Sequence, residues 1–284
     1  MRAAAFTLPL LLTGCVGEIL DAPFVLASGL GAARGVAPSP RTTLLVATAS
    51  GVVEVEGDGQ AAPLVPGVDA RAVATHRDRL YVLVEEGVLH GPVPGPGAPP
   101  ALDTWARPGV VDLQASCAGA VLFADAEGVG RWTPETGAVA RHGPALPGIQ
   151  ALSLDPVSAC EGVLALTDDA VHWVSPVATW PVATGLDRPR ALTADGWGGI
   201  WVVQGEPPVL AKLTTAGPEV RARHLAPTAD LGFGVGELFH PANAYFVGPE
   251  GSLDYARVVP EGERIQAPRT PGAPPVLSAP AARP

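Results

Sequence analysis

Apolar residues along this chain come in short runs separated by turn-forming triplets, at a spacing that suits strands. Leu80-Tyr81-Val82-Leu83-Val84, then Glu85-Glu86-Gly87, then Val88-Leu89-His90 predicts two β-strands around a tight turn. Val121 to Trp132 repeats this around Asp125-Ala126-Glu127-Gly128, and Val163 to Val174 repeats it around Asp168-Asp169. No segment after Cys15 sustains a 3.6-residue apolar period, so an α/β arrangement has no support.

The runs are periodic. Glycine followed by an aliphatic residue occurs at Gly29-Leu30, Gly67-Val68, Gly109-Val110, Gly148-Ile149 and Gly185-Leu186, in steps of 38, 42, 39 and 37 residues. Strand-like segments beginning at Leu44, Leu80, Val121, Val163, Ile200 and Ala244 average 40 residues apart. An outer segment such as Trp180-Pro181-Val182-Ala183-Thr184 completes a four-stranded unit, the size of one propeller blade. The expectation is therefore an all-β, six-bladed β-propeller of four-stranded blades over residues 23–260. Phe24 to Ser28 reads as an outer strand with no blade before it, so it is expected to complete the last unit, Thr228 to Val258, and close the ring.

Composition agrees. Thirty-four glycines and 32 prolines against 16% charged residues suit many turns and few helices. The net charge of −10, with no dense basic cluster, argues against nucleic acid as a partner. Residues 261–284, rich in proline and alanine, are expected to form a disordered tail.

Two resemblances follow from particular residues. Arg2, the apolar run Ala3 to Leu12 and Leu12-Thr13-Gly14-Cys15 resemble the signal peptide and lipobox of bacterial lipoproteins. That implies removal of residues 1–14, lipid on Cys15, a short tether over residues 15–22 and an exported, membrane-anchored protein of the cell envelope. Val16 stands where aspartate would resemble an inner-membrane retention signal, which points to the outer membrane where there is one. Cys117 and Cys160, at similar places in neighbouring repeats, are then a natural disulfide pair. The segment Pro189 to Val202, containing Ala194-Asp195-Gly196-Trp197-Gly198-Gly199-Ile200-Trp201, resembles the repeat of NHL and related six-bladed propellers, among them gluconolactonase-like and streptogramin-lyase-like enzymes.

Candidate chemistry is confined to the face where the inner strands begin. Aligned repeats place Arg34, Arg71, Val111, Gln150, Arg190 and Ala229 there, so Arg34, Arg71, Gln150 and Arg190 are candidate ligand contacts for a carboxylate or phosphate. Pairing with acids such as Asp69, Asp187 and Asp195 is the commoner use of such arginines. The turns between second and third strands carry Glu86, Glu127, Asp168, Glu206 and Glu250, a candidate acidic rim for a cation or basic segment, though acids are ordinary in solvated turns. Trp173, Trp180, Trp197 and Trp201 suggest a stacking surface or, more commonly, packing between blades.

No HExxH, GxSxG, P-loop or CxxC spacing occurs, the six histidines are scattered, and neither a metal nor another cofactor is called for. The functional expectation is a monomeric, noncatalytic module that binds an envelope protein or a small ligand. A propeller hydrolase or lyase, lactonase-like or streptogramin-lyase-like, with its site at the channel mouth is the alternative.

Overall fold

In the computed structural model, residues 23–155, 162–223, 225–234 and 243–258 are described. Cys15, Cys160 and the tail after residue 260 lie outside them. The chain forms a six-bladed β-propeller: six four-stranded antiparallel sheets arranged in a ring. Blades 1 to 5 occupy residues 33–66, 72–106, 112–141, 151–184 and 191–222 in order. Blade 6 takes three strands from residues 230–257, and its outer strand, Phe24–Ala27, comes from the start of the chain, pairing Phe24 with Tyr255. The expected ring closure is present.

The forty-residue period has a backbone cause. Each marker glycine adopts a left-handed conformation, with φ of 73° at Gly29, 81° at Gly67, 82° at Gly109, 77° at Gly148 and 71° at Gly185. This is the region that residues bearing a Cβ avoid. The turn it permits carries the chain from an outer strand to the next blade, and the following aliphatic residue drops into the core, as Leu30, Val110, Ile149 and Leu186 all do.

The apolar interior is divided into six wedges, one between each pair of neighbouring blades. Between blades 2 and 3, Tyr81 and Val88 meet Leu113, Phe123 and Trp132. Phe123 is accommodated only because residue 130 is glycine, since a Cβ there would stand 2.1 Å from its Cζ. Because both faces of the second strand of every blade are covered, those strands read as apolar runs rather than alternating ones.

Strand polarity separates two faces. The starts of the inner strands and the turns between second and third strands share one face, the channel mouth. The first strand runs towards that face, with Leu30 N–H donating to Gly251 O at 3.0 Å, so Phe24 begins it at the opposite face. The last strand, Leu253–Arg257, runs antiparallel to it and ends at the opposite face as well.

Candidate functional site

The inner strands begin in a common register. The backbone N–H groups of Arg71, Val111, Gln150, Arg190 and Ala229 each donate to a second-strand carbonyl, at Leu83, Ala124, Leu166, Val203 and Val247, over 2.8 to 2.9 Å. Arg34 falls in a bulge at the corresponding place in blade 1. This register sets the backbone of all six residues where the inner strands begin, but their side chains are not equally free. Arg34 forms an ion pair with Asp69 at 2.6 Å, and Arg71 pairs with Glu85 at 3.1 Å. Gln150 Nε2 donates to Asp168 Oδ1 at 2.6 Å. Asp187 pairs with Arg188, and Asp195 lies in the turn at the far end of its strand, so neither takes Arg190. Among the described residues, no side chain pairs with Arg190. Val111 and Ala229 make apolar, exposed sectors on opposite sides.

The turn acids form a mixed belt rather than one negative field. Glu127 pairs with Arg141, Glu206 with Arg188, and Asp168 with Gln150. Glu250 lies near Asp254 and helps to raise its pKa, behind burial as the main cause. Glu86 is exposed in its turn and accepts Arg107 N–H on its backbone carbonyl at 3.0 Å. The tightest cluster is at Asp125, which takes Arg107 at 2.9 Å and Arg141 at 2.8 Å. Burial there opposes ionisation, but the hydrogen bonds from Arg141 and Arg107 outweigh it and hold Asp125 down at about 2.

One residue further in lies a layer that sequence alignment passed over. Its six positions are Gly35, Ala72, Asp112, Ala151, Ala191 and Asp230. Four small residues and two acids stand here, the acids on blades 3 and 6, opposite each other in the ring. Asp112 accepts Leu113 N–H on Oδ1 at 2.7 Å and, from the next blade, Leu152 N–H on Oδ2 at 2.6 Å. Asp230 repeats the arrangement, accepting Leu231 N–H at 2.8 Å and Val36 N–H from the next blade at 2.8 Å. Each carboxyl staples two blades.

Both acids keep some contact with water, yet the enclosing protein dominates their chemistry. Burial pushes Asp112 up to about 7, against the pull of its two amide donors. Burial also pushes Asp230 up to about 8, with repulsion from Asp112 adding to it. Two carboxyls raised into the neutral range, directly beneath a mouth, are the strongest candidate for proton transfer among the described residues. The signal in the sequence is the matched triplets Val111-Asp112-Leu113 and Ala229-Asp230-Leu231, three repeats apart.

The pattern extends around the ring. Blades three apart carry Arg34-Gly35-Val36 and Gln150-Ala151-Leu152, then Arg71-Ala72-Val73 and Arg190-Ala191-Leu192, then the two aspartate triplets. The channel is thus pseudo-two-fold symmetric.

Solved structures show the same architecture. A putative gluconolactonase superposes with a TM-score of 0.63 at 18% identity, covering 84% of this chain and 93% of its own. A gluconolactonase from Xanthomonas campestris gives 0.65 at 14% identity, covering 81% and 87%. Virginiamycin B lyase from Staphylococcus aureus gives 0.53 at 13%, covering 76% and 78%. These likenesses show the six-bladed β-propeller fold. No protein-family model matches the chain, and no curated protein matches it in sequence.

The gluconolactonase-like resemblance implies a divalent metal held by acidic and amide groups around the channel. The residues here do not fit one. Their layer offers two carboxyls, each already bonded to amides, among glycine and alanine, and no three acidic, histidine or cysteine groups converge among the described residues.

The aromatic candidates belong to the core. Trp173 and Trp201 are fully buried, and their Nε1 atoms donate to Asp155 and Asp195 at 3.1 and 2.8 Å. Trp180 covers Trp173 in a stack at 5.2 Å, and Trp197 packs against the wedge between blades 5 and 6. Cys117 is disulfide-bonded, in the turn between the first two strands of blade 3, on the face opposite the mouth. Its partner is not among the described residues.

Proposed function

We propose that this protein is a propeller hydrolase or lyase acting on a small molecule at the channel mouth, with Asp112 and Asp230 as its proton-transfer pair. The observation that carries the reading is the placement of two carboxyls, both raised into the neutral range, on opposite blades one residue below the mouth. Their charges repel, so the second ionisation is harder than the first, and near neutral pH the pair retains a proton. The ionised carboxylate takes a proton from an attacking water. The protonated partner gives its proton to the departing oxygen, so the C–O bond of an ester or lactone breaks as the bond from water forms. The gluconolactonases and the lyase that share the fold support this class of chemistry.

Turnover of a panel of lactones and esters, beginning with glucono-δ-lactone, tests it. The wild-type chain is expected to be active, and Asp112→Asn and Asp230→Asn to lose about 100-fold or more each. Full activity in either variant would remove the acid–base role. A second reading, a noncatalytic module for an envelope protein or small ligand, is favoured by the bonding of each aspartate to two blades, which is what a structural staple does. Under that reading no panel member is turned over.

The envelope location is part of the proposal. With lipid on Cys15, the seven residues Val16 to Ala22 reach at most about 25 Å. The first strand begins at the face opposite the mouth, so the tether sets that face towards the membrane and leaves the mouth pointing away. Cys117 is proposed to pair with Cys160, which falls in sequence between the first two strands of blade 4. Intact mass of the membrane-purified protein is expected to show cleavage after Gly14, added diacylglyceryl and no thiol that alkylates before reduction. An unmodified chain beginning at Met1, or thiols at Cys117 and Cys160 that alkylate without reduction, would reject the anchor or the pairing respectively.

A further inference from the structure

One of the places where the pseudo-two-fold symmetry of the channel is broken is a pair of identical residues with different partners. Arg71 and Arg190 are equivalents on opposite blades, each followed by alanine and then by an aliphatic residue. Arg71 is held by Glu85, whereas Arg190 has no partner among the described residues. Below Arg190 the backbone supplies a second donor. At the register of Leu192, the N–H groups of Leu113, Leu152, Leu231 and Val36 all turn away from their second strands and donate to Asp112 or Asp230. Leu192 has the same strand pairing, facing Val202 as Leu113 faces Phe123. Its N–H therefore faces the channel too, and no described side chain claims it. Two residues of strand place it about 7 Å below Arg190, within the reach of one small ligand.

We propose that blade 5 holds a subsite for a small carboxylate, with the Arg190 guanidinium gripping the anion at the mouth and the Leu192 N–H receiving an oxygen of the same ligand further in. A planar guanidinium binds a carboxylate through two parallel N–H bonds, and the backbone N–H adds a fixed donor that costs nothing to orient. Gln150 on blade 4 and Ala229 on blade 6 occupy the neighbouring mouth positions, and the nearby acids already have partners, Asp168 on Gln150 and Asp187 and Glu206 on Arg188. This rests on the hydrolase or lyase reading and specifies its substrate class: a small molecule that carries a carboxylate besides the bond that is broken.

Binding without turnover tests it on the full chain. Sodium D-gluconate is titrated calorimetrically at pH 7, with sorbitol as the probe that keeps the hydroxyl chain and lacks the carboxylate. Gluconate is expected to bind at least tenfold more tightly than sorbitol, Arg190→Gln to lose at least tenfold, and Arg71→Gln to change affinity less than twofold. Gluconate bound no better than sorbitol, no binding at all, or equal losses in the two arginine variants would overturn the subsite. Because the titration involves no reaction, the subsite stands or falls separately from the roles of Asp112 and Asp230 in turnover.

Discussion

Stability is expected to fall as pH rises from about 5 to about 9, and replacing both channel aspartates with asparagine is expected to reverse the ranking of wild type and variant across that range. The folded-state pKa values of Asp112 and Asp230, about 7 and about 8, lie above the ordinary 3.8. Between those limits the folded protein holds protons that the unfolded chain has released, so stability must decline with rising pH. A carboxyl that binds its proton tenfold more tightly in the folded chain than in the unfolded one gains about 1.4 kcal/mol from it. Each pH unit crossed below a carboxyl's folded value therefore removes up to about 1.4 kcal/mol for that carboxyl, and the loss is complete above about pH 9, where both are ionised in the folded chain as well.

Two groups of residues act in the opposite direction. Asp125, depressed to about 2, contributes stability that is present above the ordinary carboxylate range and lost as pH falls through its folded value. His90 and His172, lowered chiefly by burial, likewise favour the folded state at higher pH. The variant isolates the pair. Asparagine keeps one acceptor oxygen where aspartate has two, so each site gives up one amide bond worth about 1 kcal/mol. The Asp112→Asn/Asp230→Asn protein should therefore melt below wild type at pH 5 and above it at pH 9. Parallel melting curves would show that the pair ionises normally.

The second large effect is expected at Trp201. It is fully buried, packs on Phe233 at 5.4 Å, lies under the Lys212 ammonium at 5.5 Å and donates to Asp195. Trp201→Ala opens a cavity in the wedge between blades 5 and 6. It also takes a hydrogen-bond donor from Asp195, whose pKa burial already raises, leaving two backbone amides and Lys212 to favour the charged form. A loss of about 3 to 5 kcal/mol follows. Trp180→Ala removes a ring that is 36% exposed on an outer strand, and should cost about 1 kcal/mol. Urea unfolding at constant m-value measures both. Equal losses would contradict the packing described for Trp201.

Much of the fold was legible because its period is carried by backbone geometry. The five marker glycines all occupy left-handed positions that other residues avoid, so they survive as a visible rhythm while the surrounding residues vary. The specific motif shows only in blade 5 for an equally local reason. There Asp195 accepts Trp197 N–H, Gly199 N–H and Trp201 Nε1, so several residues are tied to one carboxyl. Blades 1 and 3 make the same backbone turn with serine, Ser39 N–H donating to Thr43 O and Ser116 N–H to Ala120 O, which leaves no motif to find.

The site was only half legible. Alignment located the mouth, but which arginine is free depends on where neighbouring turns place their acids, and that is decided by loop conformation rather than spacing. Asp112 and Asp230 lay one residue beyond the positions compared. Acids at strand starts are common, and these two gain meaning only when the ring sets them opposite each other among glycine and alanine.

The protonation of the two channel aspartates is read most directly by a 13C NMR titration of the aspartate carboxyl carbons, with Asp112→Asn and Asp230→Asn used to assign the two signals. Both carboxyls are expected to remain protonated at pH 5 and to ionise in two coupled steps near pH 7 and 8. Two carboxylates already ionised at pH 5 would contradict a proton-transfer pair beneath the mouth.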